Sequence, residues 1–129
     1  MPQTYRFNHL HIQSRDPKAV AQYFQTMFAA KAVEGVTYDG RLRIDLDLNG
    51  LVIFIFKIEA EENVPASPPV RHLGLDHFGL LVENLDEAAA ELKSRGAEFV
   101  MEPRTIKPGQ KIAFIRGPEN VRIELLERS

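Results

Sequence analysis

The chain has 129 residues, of which 44% are apolar and 26% charged, and its formal net charge is −2. This balance is typical of a globular protein and excludes a largely disordered chain, and a charge so close to zero predicts neither nucleic acid nor an anionic membrane as a partner. Cysteine is absent, no apolar run approaches the roughly 20 residues that cross a bilayer, and the N-terminus lacks a signal-peptide pattern. We therefore expect a cytoplasmic protein whose metal ligands, where it has any, are His, Asp or Glu.

The first part of the chain, residues 5–58, opens with a predicted strand and helix. Apolar and polar residues alternate over 7–14, which predicts a strand. Asp16-Pro17 follows and is typical of a helix start, with Asp as N-cap and Pro in the first turn. An apolar helical face then continues to Phe28.

Turn signals and two strands complete this part. Gly35 and Asp39-Gly40 indicate turns. Strict alternation predicts a strand over 41–48, and Asn49-Gly50 predicts a hairpin into an almost wholly apolar strand over 51–58, which we expect to be covered on both faces.

Residues 59–72 form an acidic and then Pro-rich segment, which we predict to be a linker. Beyond it, residues 73–128 predict a strand over 75–82 and a helix that Asn84 and Glu87 begin and Gly96 ends. Three further strands follow over 98–102, 111–116 and 121–126, separated by Pro and Gly.

A repeat relates these two parts of the chain. An offset of 68 residues aligns His9 with His77 and Asp16 with Asn84, each pair at the same point of a strand or helix start. A repeat of this length dictates architecture. We therefore predict one α+β domain over 1–129 made of two paired βαβββ modules, each with a helix on one side of a sheet and the other side curled around a single cavity.

Strand alternation sorts the side chains between these two sides. It places the apolar residues of each strand against the helix and places His9, His11, His77 and Glu124 on the opposite, concave side. Each of these residues taken singly is more often structural. As a set, two imidazoles and one carboxylate match the donors that hold Fe(II), and they also suit Zn, Mn, Ni or Co.

The sequence resembles the vicinal oxygen chelate superfamily, which includes glyoxalase I, methylmalonyl-CoA epimerase, extradiol dioxygenases and the bleomycin resistance proteins. The resemblance rests on His-x-x-Ile-x-x-x-Asp at His9, its second copy at His77, and the ending from Gly117 to Leu125. It covers the whole chain. It implies a divalent metal held by His9, His77 and Glu124, a small substrate bound through two adjacent oxygens, and a homodimer.

The sequence departs from that pattern in two ways. The fourth ligand of lyase and epimerase members is Glu or Gln, whereas the corresponding position here is Phe56, or Phe54 with a two-residue slip. Extradiol dioxygenases carry a tyrosine ten residues before the glutamate, where this chain has Phe114. Those dioxygenases also place an acid–base histidine upstream of the second ligand; His72 lies five residues before His77, and we interpret it as a linker residue.

Six further residues are candidates for substrate binding. Arg43 and Arg122 can clamp a carboxylate, although the charges around Arg43 equally predict a solvated, paired face. His11 is a wall or contact residue. The aromatic candidates, which are equally plausible as plain core, are Phe54, Phe56 and Phe114.

Three functions follow from the resemblance. We favour a metal-dependent lyase or isomerase similar to glyoxalase I, with Glu124 as a ligand or alternatively as the proton-transfer base. The alternatives are an Fe(II) extradiol-type dioxygenase and a metal-free protein of the bleomycin-resistance type, which sequesters its ligand.

Overall fold

The computed structural model describes residues 3–129, which divide between Val64 and Pro65 into two compact units, here called unit 1 and unit 2. The division falls inside the segment predicted as a linker. Each unit contains one helix and one four-stranded mixed sheet, so the architecture is α+β, with the order strand, helix, three strands in each unit. No helix in the described range is both long and apolar enough to span a membrane.

Unit 1 carries a sheet in the order β1-β4-β3-β2. Strand β1 is parallel to β4, and the other two neighbouring pairs are antiparallel. Its elements are β1 (Leu10–Ser14), α1 (Pro17–Phe28), β2 (Lys31–Val36), β3 (Leu42–Leu48) and β4 (Leu51–Lys57).

Unit 2 repeats this arrangement with the order β5-β8-β7-β6. Strands β5 and β8 are parallel, and β6, β7 and β8 pair antiparallel in turn. Its elements are β5 (His77–Leu81), α2 (Leu85–Ser94), β6 (Glu98–Lys107), β7 (Gln110–Arg116), a 3-10 turn (Pro118–Asn120) and β8 (Arg122–Arg128).

Both helices start where the capping residues predict. The Asp16 carboxylate accepts a hydrogen bond from the Ala19 amide at 3.1 Å. The Asn84 side chain accepts one from the Glu87 amide, also at 3.1 Å. These bonds satisfy amides that have no partner inside the helix, so the local sequence sets both boundaries.

The core of each unit lies between its helix and one face of its sheet. In unit 1 the helix buries Phe24 (0% exposed), and alternate residues of β3 and β4 are buried with it. In unit 2 Leu85 and Leu92 are buried along with Ile115, Ile123 and Leu125. The predicted alternation is confirmed, and it leaves the remaining residues of each strand on the side away from the helix, here called the helix-free face.

Four local predictions differ from the structure. Gly35 lies inside β2 opposite Arg43, not in a turn, because a strand at the sheet edge needs neither strong alternation nor large side chains. Strand β6 continues past Pro103 with a shift of register between Met101 and Arg104, since an edge strand tolerates a residue that donates no hydrogen bond. Strand β1 begins at Leu10 and is shorter than predicted, and the helix-free face of β4 is only half-buried.

Candidate functional site

The parallel pairing of β5 with β8 brings two of the predicted ligands together. His77 pairs with Arg122, and Gly79 pairs with Glu124, so all four lie on the helix-free face. A Cβ at Gly79 would stand 3.6 Å from Glu124 Oε1. The glycine therefore leaves the space over β5 in which the Glu124 side chain reaches toward His77.

His77 and Glu124 are in direct contact. The distance from His77 Nε2 to Glu124 Oε1 is 3.1 Å, and the side chains are 30% and 21% exposed. An Nε2–H of the imidazolium form donates to this carboxylate. In the neutral tautomer with the proton on Nδ1, two lone pairs would face one another, an arrangement that a cation between them stabilises. The pair is thus suited to hold either a proton or a cation.

Asp76 holds the other side of the same imidazole. Its Oδ2 accepts from His77 Nδ1 at 2.7 Å and from the Arg122 guanidinium at 3.0 Å. The His77 hydrogen bond lowers the pKa of the Asp76 carboxyl, and the charge of Arg122 lowers it further. Sequence reasoning missed Asp76, although its signal was available: it is the acidic residue directly before a candidate ligand.

Phe114 and Arg122 complete the surroundings of this pair. The Phe114 ring meets the His77 ring edge to face, with 4.9 Å between centroids. The Arg122 guanidinium lies 4.5 Å from the centre of the Phe114 ring. Both residues were predicted as substrate contacts, and both lie beside the His77–Glu124 pair.

Unit 1 presents aromatic rings at the corresponding positions. The 68-residue offset relates His11 to Gly79. His11 pairs with Phe54 and Gly79 pairs with Glu124, so Phe54 is the counterpart of Glu124. The His9 ring stacks on Phe54 at 4.1 Å between centroids, and His9 Nδ1 is 2.7 Å from Asn8 Oδ1. His11 packs on Phe56 at 4.2 Å. Partial desolvation lowers the pKa of His11, and His9 and Arg43 lower it further.

Arg43 spans the same two rings. Its guanidinium carbon lies 4.5 Å from the centre of Phe54 and 5.0 Å from that of Phe56. Its nitrogens donate to both carboxylate oxygens of Asp45, at 2.9 and 3.1 Å. The Arg43 guanidinium is therefore already paired with Asp45, in agreement with the alternative prediction of paired surface charges around Arg43. A substrate carboxylate could bind to Arg43 only by displacing Asp45.

The donors of unit 2 fit part of a divalent metal site. Imidazole nitrogen and carboxylate oxygen are ligands of Zn, Fe, Mn, Ni and Co, and a carboxylate on Nδ1 is the usual support of a metal-binding histidine. Across residues 3–129, however, no three His, Asp or Glu side chains are grouped so that they hold an ion. The roles of His77, Glu124 and His9 as metal ligands stay predictions. His72 is an exposed linker residue whose Nδ1 lies 3.1 Å from the Val70 carbonyl.

Residues 6–125 match the family model described as the Glyoxalase/Bleomycin resistance protein/Dioxygenase superfamily. Among curated proteins, the chain is similar to the probable chloroplastic lactoylglutathione lyase of Arabidopsis thaliana. The two are 38% identical over 56 residues, 43% of this chain and 16% of that protein. The match thus spans about one sixth of that relative's length.

Solved structures share the fold over nearly the whole chain. A glyoxalase family protein from Enterococcus faecalis is 25% identical with a TM-score of 0.78, and the match covers 95% of this chain and 97% of that one. The fosfomycin resistance protein FosX from Listeria monocytogenes, solved with Mn(II) and sulfate, is 17% identical with a TM-score of 0.70, covering 98% and 95%.

Proposed function

Because the chain belongs to the glyoxalase/bleomycin resistance protein/dioxygenase superfamily, also called the vicinal oxygen chelate superfamily, we propose that it is a metal-dependent enzyme. Its substrate is a small molecule that offers two adjacent oxygens, and its reaction is a lyase or isomerase reaction like that of glyoxalase I. The observation that carries the proposal is the contact of 3.1 Å between His77 Nε2 and Glu124 Oε1.

In this proposal His77, Glu124 and His9 hold a divalent ion of Fe, Ni, Zn, Mn or Co. Bound there, the ion would polarise the two substrate oxygens and stabilise negative charge on them. Asp76 keeps the His77 proton on Nδ1 through its 2.7 Å hydrogen bond, which leaves the Nε2 lone pair for binding. The Mn(II) complex of FosX supports a divalent ion in this fold.

The proton transfer is assigned to Glu124. As an alternative to binding the ion, its carboxylate takes the proton from the carbon that carries the substrate hydroxyl and returns it to the neighbouring carbonyl carbon, while the hydroxyl proton moves to the former carbonyl oxygen. The substrate is isomerised, with no atom gained or lost and no oxidant needed. Phe114, which pairs with Glu124 across β7 and β8, lies between the His77 ring and the Arg122 guanidinium.

A lyase or isomerase is favoured over an extradiol dioxygenase by Phe114. It pairs with Glu124 across β7 and β8 and touches His77, where the dioxygenase pattern places a tyrosine hydroxyl. A phenyl ring donates no hydrogen bond to a bound oxygen species or catecholate. The relative named as a probable lactoylglutathione lyase supports the same preference.

A metal-free binding protein is the second candidate, and the helix-free face of unit 1 favours it. Phe54 occupies the position in unit 1 that Glu124 occupies in unit 2. The surface there is aromatic and cationic, because the Arg43 guanidinium lies over the rings of Phe54 and Phe56. Such a surface suits stacking of an aromatic ligand. In this case the protein sequesters its ligand and has no turnover.

Elemental analysis of protein purified without a histidine tag separates these candidates. We expect about one divalent ion per chain in the unmodified protein and a loss of at least tenfold in His77→Ala, since one of few ligands is removed. His72→Ala, which removes an exposed linker histidine, is the matched control and should keep its metal. If neither protein holds metal after incubation with Fe, Ni, Zn and Mn, the binding protein stands.

Two activity assays then separate the two reactions. Loss of the methylglyoxal–glutathione hemithioacetal is expected for the lyase, and oxygen consumption with a panel of catechols for the dioxygenase. Catechol-dependent oxygen uptake above background overturns our preference.

We place the protein in the cytoplasm, since it contains no cysteine, and expect it to act as a homodimer.

A further inference from the structure

Unit 2 contains a cavity of about 340 Å³ beside the His77–Glu124 pair, a volume within the range of small-molecule sites. Its wall is formed by the end of the linker and by the ends of three strands. Asp76 and Arg122 are part of this wall, and Asp76 also accepts the hydrogen bond from His77. Neither His77 nor Glu124 lines the cavity, and Asp76 connects the cavity to this pair.

The charge of the cavity is positive. Three arginines are among its lining residues, Arg71, Arg116 and Arg122, with Asp76 as the one acidic residue. Arg122 is paired with Asp76 and Arg116 with Glu98, at 3.0 and 2.6 Å. Arg71 makes no hydrogen bond or ion pair with any residue from 3 to 129, and it acts on Asp76 only by its charge. One exposed cation is thus available for an anionic ligand.

The rest of the wall consists of His72, Asn120 and four apolar residues. Pro68, Pro69, Val70 and Val100 are its apolar residues, and the two prolines restrict the backbone of the linker. The Asn120 side chain donates to the Ser67 carbonyl at 2.8 Å and so attaches the linker to the turn before β8. A wall that is fixed in this way loses little conformational entropy when a ligand binds.

We propose that this cavity binds a small organic carboxylate, with the carboxylate on Arg71 and a short apolar chain against the prolines and valines. A guanidinium matches the two oxygens of a carboxylate. A monoanion suits the cavity better than a dianion, because the Asp76 carboxylate also faces it. The proposal concerns binding alone and does not rest on the proposed function.

The test is calorimetric titration of the full-length, chelator-treated protein with hexanoate, with hexanamide as the uncharged ligand of the same shape and with inorganic phosphate. We expect saturable binding of hexanoate and binding of hexanamide and phosphate that is weaker by about tenfold or more, the size of one charge-assisted hydrogen-bond pair. Equal binding of hexanamide, or tighter binding of phosphate, overturns the proposal.

Two variants with the same change of charge locate the site. Arg71→Gln should weaken hexanoate binding by about tenfold. Arg104→Gln removes an exposed arginine of β6 outside the cavity and should leave the affinity within twofold. If both variants weaken binding equally, only the net charge of the protein matters and the assignment of this cavity is wrong. Because no metal is present, failure here leaves the metal-dependent function untouched.

Discussion

Phe54 and Glu124 hold the same register position in the two sheets: Phe54 lies opposite His11, and Glu124 lies opposite Gly79. The same duplicated frame thus carries a phenyl ring in one unit and a carboxylate in the other. Where Glu124 reaches His77, Phe54 stacks on His9. This difference makes the helix-free face of unit 2 ionic and that of unit 1 aromatic.

Restoring a carboxylate at this position is the first prediction. Phe54→Glu should tighten the binding of Mn(II) or Ni(II) to unit 1 by about tenfold or more, because a carboxylate then lies beside the His9 imidazole. Phe56→Glu places the same charge two residues along the same face and should have a smaller effect. Equal tightening by both variants, measured by metal titration, would show that charge and not position is responsible.

Gly79 provides a second prediction through the space that it leaves for Glu124. A Cβ there meets Glu124 Oε1 at 3.6 Å, an ordinary contact, so Gly79→Ala should keep metal affinity within about threefold. The branches of Gly79→Val extend into the position of the carboxylate and should lower the affinity by about tenfold to a hundredfold, as loss of a supporting contact does. Calorimetric metal titration of both variants measures this. Unchanged affinity in Gly79→Val contradicts the placement of Glu124.

The third prediction concerns the core of unit 1. Phe24 is fully buried, so Phe24→Ala should lower the free energy of unfolding by about 3–5 kcal/mol, through lost burial and the cavity that remains. Val33→Ala, at a position that is 70% exposed, should change it by less than about 0.5 kcal/mol. Because the chain has no tryptophan, hydrogen exchange of the β3 and β4 amides is the suitable measurement. Similar protection in both variants would contradict this core.

The fourth prediction is a pH dependence at the turn before β3. The hydrogen bond from the Thr37 hydroxyl lowers the pKa of the Asp39 carboxyl below its ordinary value of 3.8, and the Arg41 charge contributes. A carboxyl whose folded-state pKa is lowered stabilises the fold above the unfolded value and loses that contribution as the pH falls through the folded value. Asp39→Asn should therefore flatten the fall of stability below about pH 4, measured by urea unfolding at several pH values. Identical slopes in both proteins would contradict this contribution.

Local features of the fold were predictable because a few neighbouring residues decide them. Asp16 and Asn84 cap their helices through bonds to residues three positions on, and Asn49-Gly50 forms its hairpin with both residues at positive φ. The predicted βαβββ module requires a strand between α1 and β3, but the position of β2 was not predicted because residues 31–36 lack regular alternation. The extension of β6 past Pro103 depends on its place at the sheet edge.

The candidate site was predictable only as far as strand alternation reaches. Alternation assigns His77 and Glu124 to one face, and the parallel register of β5 and β8 then brings them into contact. The sequence shows Asp76 only as an acidic residue next to a candidate ligand, because strand alternation does not specify the side-chain directions that bring it to His77. The choice between Phe54 and Phe56 as the counterpart of Glu124 required the actual register of β1 and β4.

The central claim is that His77 and Glu124 share one divalent ion, and the most direct measurement is a crystal structure of the protein grown with Ni(II) or Mn(II), with the ion located by anomalous scattering. We predict an anomalous peak about 2.0–2.2 Å from both His77 Nε2 and a Glu124 carboxylate oxygen. The hydrogen bond from His77 Nδ1 to Asp76 should remain. A structure at saturating metal in which the two side chains keep their direct contact of 3.1 Å, with no peak between them, would contradict the claim.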